Sequence, residues 1–171
     1  MLESLGDDII KLTGDASVTV AVIDLDHFKH INDSFGHQAG DQVLVEFAKL
    51  LTSTFRSADC IGRFGGEEFV LILPRATQKN AKEALHRLRE SMQTHQWQLP
   101  SNEHRVTFSA GIAVSNDKES FESLFNKADT ALYDAKAMGR NAIIVSGEQP
   151  DNANANFIQN KELSGASNTL M

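Results

Sequence analysis

The sequence predicts an α+β domain built on a ferredoxin-like split βαβ sheet with helices packed around it. Three observations point there. Apolar residues recur at strand and helix periods in the order β-α-α-β-β-α-β-α-β; removing one extra helix leaves βαββαβ with an added αβ. A double glycine, Gly65-Gly66, separates two short strand patterns as a hairpin would. The 171 residues suffice for one core of ordinary size and not for two comfortable domains.

Each element has its own signal. Residues 1–12 read as a helix or helix fragment with Leu2, Leu5, Ile9 and Leu12 on one face, and residues 13–17 as a turn through Gly14. Together 1–17 form an N-terminal fragment or linker. Residues 18–25, VTVAVIDL, are a β-branched run and predict a buried central strand. A short helix over 26–35 presents Phe28, Ile31 and Phe35, and the stretch from Gly36 to Gly40 breaks it. The next helix, 41–56, is amphipathic through Val43, Leu44, Phe47, Leu50, Leu51 and Phe55. Strands over 58–64 and 68–73 flank the double glycine, and Pro74 ends the second. Helix 78–95 turns Ala81, Ala84, Leu85, Leu88 and Met92 inward, and a loop through Pro100 follows. Strand 105–115, helix 120–138 and strand 141–145 complete the domain, 18–146. Trp97 and Tyr133 read as packing residues. Residues 147–171 are rich in Asn, lack a period and predict a flexible tail.

Composition excludes several classes. No run of 18 uncharged apolar residues occurs, so no membrane span and no membrane contact is expected. The opening MLESLGDDII is acidic where a secretory signal would be basic. The single Cys60 excludes a disulfide framework and suits a reducing, cytoplasmic setting. A net charge of −7 argues against nucleic acid as a partner. An acidic chain still binds a phosphate ligand if its few cations converge.

Four groups of residues bear on chemistry. Asp24 and Asp26 stand where a buried strand ends, and a carboxylate there needs a cation, donor or water. Glu67 and Glu68 follow Gly65-Gly66, which permit positive φ and leave no side chain to block a ligand. If the strand lies beside this hairpin, Asp24 and Glu67 converge, and such an open oxygen site suits Mg²⁺. A solvated acidic turn beside a strand-end cap would account for the same residues. Asn32, His37 and Asp41 surround the glycine-flanked bend; Asn and Asp together can match the donors and acceptors of guanine. Asp41 also suits the start of the following helix. Lys29, Lys136 and Arg140 form a triphosphate clamp if they meet the carboxylates. Lys136 and Arg140 also suit a helix C-terminus capped by Gly139. Arg56 and Asp59 make an R-x-x-D step, by itself a local ion pair worth under about 1 kcal/mol. His86, His95 and His104 lack metal-ligand spacing. Walker A, GxGxxG and GxSxG patterns are absent.

Four segments resemble one known family in the right order. RFGGEEFVLILP (63–74) looks like the signature of GGDEF-domain diguanylate cyclases with Glu for the central Asp. IDLDHFKHINDSFGHQAGD (23–41) resembles its other long motif, and VTFSAGIAV (106–114) and KADTALYDAKAMGRN (127–141) its later blocks. The resemblance implies a palm-like, nucleotide cyclase-like sheet and condensation of two GTP into cyclic di-GMP with release of two pyrophosphates. It implies Asp24, Glu67 and the Leu25 carbonyl as ligands of Mg²⁺, two ions per site with Mn²⁺ able to substitute. Glu67 would help deprotonate the attacking 3′-hydroxyl. Asn32 and Asp41 would read guanine, with His37 lining the nucleotide site and Lys29, Lys136 and Arg140 holding phosphates. Gly65 and Gly66 would let the nucleotide lie against the hairpin. Arg56 and Asp59 would form an inhibitory site for product, and two domains would meet face to face as a homodimer. The family's D-x-L-T-G-L-x-N-R segment is missing before residue 18, so the chain is expected to begin inside the first helix of a longer protein. A catalytically silent module that binds GTP or cyclic di-GMP is the rival reading, and a cyclase of another purine a third.

Overall fold

The computed structural model describes residues 2–14, 16–101, 104–115 and 119–148. Its elements are α1 (Leu2–Thr13), β1 (Val18–Leu25), α2 (Phe28–Phe35), α3 (His37–Thr54), β2 (Cys60–Arg63), β3 (Glu68–Pro74), α4 (Gln78–Thr94), β4 (Phe108–Val114), α5 (Phe121–Ala137) and β5 (Ile143–Val145). The sheet order is β2-β3-β1-β4-β5. β3 and β4 both run antiparallel to β1, and β5 joins parallel to β4. This is the split βαβ arrangement with one added strand, as the pattern predicts.

β1 lies at the centre because all eight of its residues can be buried. Its two faces serve two cores. Ala21, Ile23 and Leu25 pack with Phe47, Leu51, Leu85 and Leu88 from α3 and α4. Val18, Val20 and Val22 pack with Leu124, Ala128 and Leu132 of α5. The period of two along a strand dictates that division. α5 sits so close that a Cβ on Gly111 of β4 would overlap the backbone of Ala128 and Leu132.

Several expectations need correction. α3 begins at His37 with Gly36 as its N-cap, so Gly40 lies inside the helix. Gly36 alone makes the break, with φ at 85°. Gly40 is there because a side chain would overlap Asn32. Of the face assigned to the first helix, Leu12 is 86% exposed and Leu5 is exposed as well. α1 instead packs through Gly6 on Phe121 and through Ile9 and Ile10, and Asp7 accepts the Phe121 N–H at 3.0 Å. Tyr133 is 72% exposed and is no packing residue. The predicted tail lies outside the described residues from 149 onward. Its second residue is held: the Glu148 carboxylate accepts from Gln78 and pairs with Lys82 at 3.1 Å. No described helix is long and apolar enough to cross a membrane.

Candidate functional site

The site forms where β1 ends. Asp24 stands opposite Glu68 of β3 and Ser109 of β4. Cross-strand partners share a face, so the Asp24 and Glu68 carboxyls both lie on the side covered by α5. Near the end of that helix, Lys136 reaches Asp24, with Nζ 2.9 Å from Oδ2. Asp24 is largely removed from water, at 8% exposed, while Lys136 is half-buried. Burial pushes the Asp24 carboxyl above its ordinary pKa, while Lys136, by hydrogen bond and charge, and then Arg140 pull it back. Glu68 is pushed up as well, first by burial and then by the charge of Asp24. Lys136 and the charge of Arg140 therefore only partly offset the burial of these two neighbouring carboxyls.

Hard oxygen donors crowded against too little cationic charge suit a divalent ion of the Mg²⁺ class. Among the described residues, no three of His, Cys, Asp and Glu gather into a ready-made cage. An ion held here must complete its shell from backbone carbonyl, water or phosphate oxygen.

The hairpin lies against β1, as convergence of its acids with Asp24 required. Its register sets Glu68, not Glu67, directly across from Asp24. Glu67 stands beside Leu25, whose N–H donates to the Glu67 carbonyl at 3.3 Å, and it is half-buried. Neither Gly65 nor Gly66 adopts the positive φ expected of them. A Cβ on Gly65 would crowd Glu68 Oε2 at 2.8 Å, whereas Gly66 faces open space. The tip is instead shaped by Arg63. Its Nη2 donates to the Gly66 carbonyl at 2.6 Å and its Nε reaches the Gly65 carbonyl at 3.2 Å.

Lys29 is exposed on the first turn of α2, just past His27, whose φ is 56°. Asn32 is half-buried against Gly40, and Asp41 follows that glycine in the chain. Because α3 starts at His37, Asp41 caps nothing, which removes the structural explanation for it. His37 is exposed at the helix start. Arg140 lies beyond α5 in a left-handed turn and acts on Asp24 through its charge. The structure thus gathers Asp24, Glu68, Lys136 and Arg140.

Asp26 behaves differently from Asp24. It is 3% exposed, and its carboxylate accepts from Ser109 Oγ at 2.6 Å, Thr107 Oγ1 at 2.8 Å and the Asn141 N–H at 2.9 Å.

Arg56 and Asp59 are joined through the backbone, the Arg56 N–H donating to Asp59 Oδ2 at 2.8 Å. They line a depression with Asn80, Glu83 and Arg87 of α4. Reading the sequence missed Arg87, Arg63 and the direct Asp24–Glu68 pairing. Strand register carries the last of these; no local spacing links Arg87 to Arg56.

The family model for the diguanylate cyclase GGDEF domain matches residues 1–142. The diguanylate cyclase DgcP of Pseudomonas aeruginosa is 44% identical over 127 residues, 74% of this chain and 19% of that protein. The response regulator PleD of Caulobacter vibrioides is 40% identical over 144 residues, 81% of this chain and 32% of that one. The chain therefore spans about a third or less of these curated relatives. Among solved structures, the GGDEF domain of DgcB from Caulobacter crescentus in complex with c-di-GMP has a TM-score of 0.80 and 31% identity, covering 86% of this chain and 89% of that one. The active GGEEF domain of a diguanylate cyclase from Vibrio cholerae has a TM-score of 0.79 and 28% identity, covering 86% and 96%. A family match across residues 1–142, on the fold shared with solved GGDEF domains, makes this chain a member of the diguanylate cyclase GGDEF-domain family.

Proposed function

We propose that residues 18–146 form a catalytic unit that condenses two GTP into cyclic di-GMP and releases two pyrophosphates. The observation that carries this reading is the pairing of Asp24 with Glu68 across β1 and β3, with Lys136 on Asp24, at the place where the family's two long motifs meet. Asp24, the Leu25 carbonyl and Glu67 would hold Mg²⁺ or Mn²⁺, two ions per site, and Glu68 adds a carboxyl on the face of Asp24. When bound, the metal neutralises phosphate charge and lowers the pKa of the attacking hydroxyl.

The protein's own groups position and polarise. Lys136, Arg140 and Lys29 hold the triphosphate and offset the negative charge that develops on the leaving pyrophosphate. Asn32 and Asp41 pair with guanine, beside His37, and leave adenine with mismatched partners. Gly65 and Gly66 let the nucleotide approach the hairpin backbone. Glu67 accepts the proton of the 3′-hydroxyl as its oxygen attacks the α-phosphorus of the second GTP. Each bond formed to an α-phosphorus releases one pyrophosphate, and two attacks close the ring. One face carries one GTP, so two copies must meet face to face, each contributing half of the reaction. The depression holding Arg56, Asp59 and Arg87 offers cations to a product that carries two phosphodiesters, which supports restraint by product there. GTP as substrate places the reaction in the cytoplasm. In this reading residues 1–17 stand before the catalytic unit and 147–171 after it.

The test is incubation with GTP and Mg²⁺ at high and low protein concentration, with products resolved. Cyclic di-GMP and pyrophosphate are expected, at a rate per chain that climbs with concentration. Binding of GTP with no pyrophosphate released would replace this reading with a silent regulatory module. Equal consumption of ATP would overturn guanine recognition.

A further inference from the structure

Asp26 is buried and charged, and the proposed reaction gives it no task. Its surroundings supply one. The backbone N–H of Asp26 donates to the Thr107 carbonyl at 2.9 Å, so the residue is stitched to the entrance of β4. Its carboxylate takes the hydroxyls of Ser109 and Thr107 from that same strand region. The remaining bond leaves the sheet and reaches the Asn141 N–H at 2.9 Å.

That bond ends in an unusual turn. Gly139, Arg140 and Asn141 have φ of 109°, 67° and 49° in succession. Left-handed backbone is costly for residues with a Cβ, and two such residues in a row persist only when their surroundings impose it. All three are exposed, so no apolar side chain anchors them. On the helix side the turn is tied by the Arg140 N–H to the Ala135 carbonyl at 3.1 Å and by Gly139 to Lys136 at 3.3 Å. On the sheet side, Asn141 is held by Asp26 and by a longer bond from Arg89 to its carbonyl at 3.4 Å. A buried carboxylate accepting a backbone N–H is the stronger of those two ties.

We propose that Asp26 is a positioning residue whose carboxylate imposes the left-handed turn at Gly139–Asn141 and thereby sets Arg140 beside Asp24 to receive phosphate. The proposal rests on the phosphate-holding role of Arg140 given above. It makes the two aspartates of the first motif complementary: one faces the ligand, and the other places a cation that faces it.

The experiment compares Asp26→Ala, Asp26→Ala with Asn141→Gly, and Thr107→Val with the parent. Affinity for GTP with Mg²⁺ is read by calorimetry and protection of the Asn141 amide by hydrogen exchange. Asp26→Ala is expected to weaken GTP binding about tenfold and to speed exchange at Asn141. Glycine at 141 removes the penalty of the left-handed turn and should restore most of the lost affinity. Thr107→Val removes a bond to the same carboxylate without touching the turn. It should lower the melting temperature and leave GTP affinity within about twofold. Asp26→Asn keeps the shape, loses the charge and should show the same order of effects at smaller size, which keeps the comparison open if Asp26→Ala does not fold. Unchanged Asn141 protection in the Asp26 variants, no recovery in the double variant, or a Thr107→Val loss equal to that of Asp26→Ala would overturn the proposal. If the parent protein fails to bind GTP, the proposed function falls, and amide protection alone still decides whether Asp26 imposes the turn.

Discussion

Two aspartates separated by one leucine meet opposite fates in this fold. Asp26 sits in a shell of donors, and every contact it makes is internal. Asp24 is nearly as buried, yet it shares its space with Glu68 and has only Lys136, with the charge of Arg140, for compensation. The first arrangement is that of a carboxylate used as a structural acceptor. The second is incomplete without more positive charge. Burial by itself therefore says little about what an acid is for; the balance of donors around it says more.

The largest effect expected from this contrast comes from exchanging each acid for its amide. Asp24→Asn should lower the rate of cyclic di-GMP formation by about 1000-fold or more, because charge needed for the metal is lost. Its resistance to urea should stay at the parental value or rise, since a costly buried charge is removed. Asp26→Asn should show the opposite signature, losing about 1–3 kcal/mol in urea while retaining measurable turnover. Equal losses of stability in the two proteins would break the contrast.

Lys136→Met comes next. It keeps most of the side-chain volume and removes the ion partner of Asp24. Turnover should fall by about 100-fold, with a smaller change in melting temperature. A variant with parental kinetics would show that the lysine serves the helix end and not the site.

The smallest effect is on pH dependence without metal. The folded-state pKa values of Asp24 and Glu68 both lie above their ordinary values. The folded protein thus binds more protons at these groups than the unfolded chain does. Their contribution to stability is full below the ordinary carboxylate range and is lost as pH rises through the raised values. Urea melts of the metal-free protein should show this fall, and Asp24→Asn should make it shallower. Saturating Mg²⁺ should reverse its sign. An identical pH profile for parent and variant would remove the argument from charge shortage.

Much of this is legible in the sequence. The β-branched run 18–25, the helical periods and the glycine pair dictate strands, helices and a hairpin, because those patterns express burial on one face or two. What escaped depends on partners distant in the chain. Gly40 looks like a helix breaker, but it is a helix residue kept small by Asn32. Leu5 and Leu12 share an apolar spacing that α1 does not use, since contact with Phe121 fixes another face. Asp24 stands opposite Glu68 because of a register that one residue of slip would alter, and the sequence pattern constrains it only through which side chains are buried. Arg87 joins Arg56 across a gap between α3 and α4 that no local motif records.

Gly111 gives the molecule a fixed fulcrum. With no side chain between β4 and α5, helix backbone rests directly on strand backbone at Ala128 and Leu132. Lys136 rides the same rod one turn further along, and the tip of its side chain meets Asp24. A wedge as thin as one methyl group under that bearing would tilt the far end. The reach of an ammonium group at the end of the central strand is thus calibrated by an atom missing from the strand beside it.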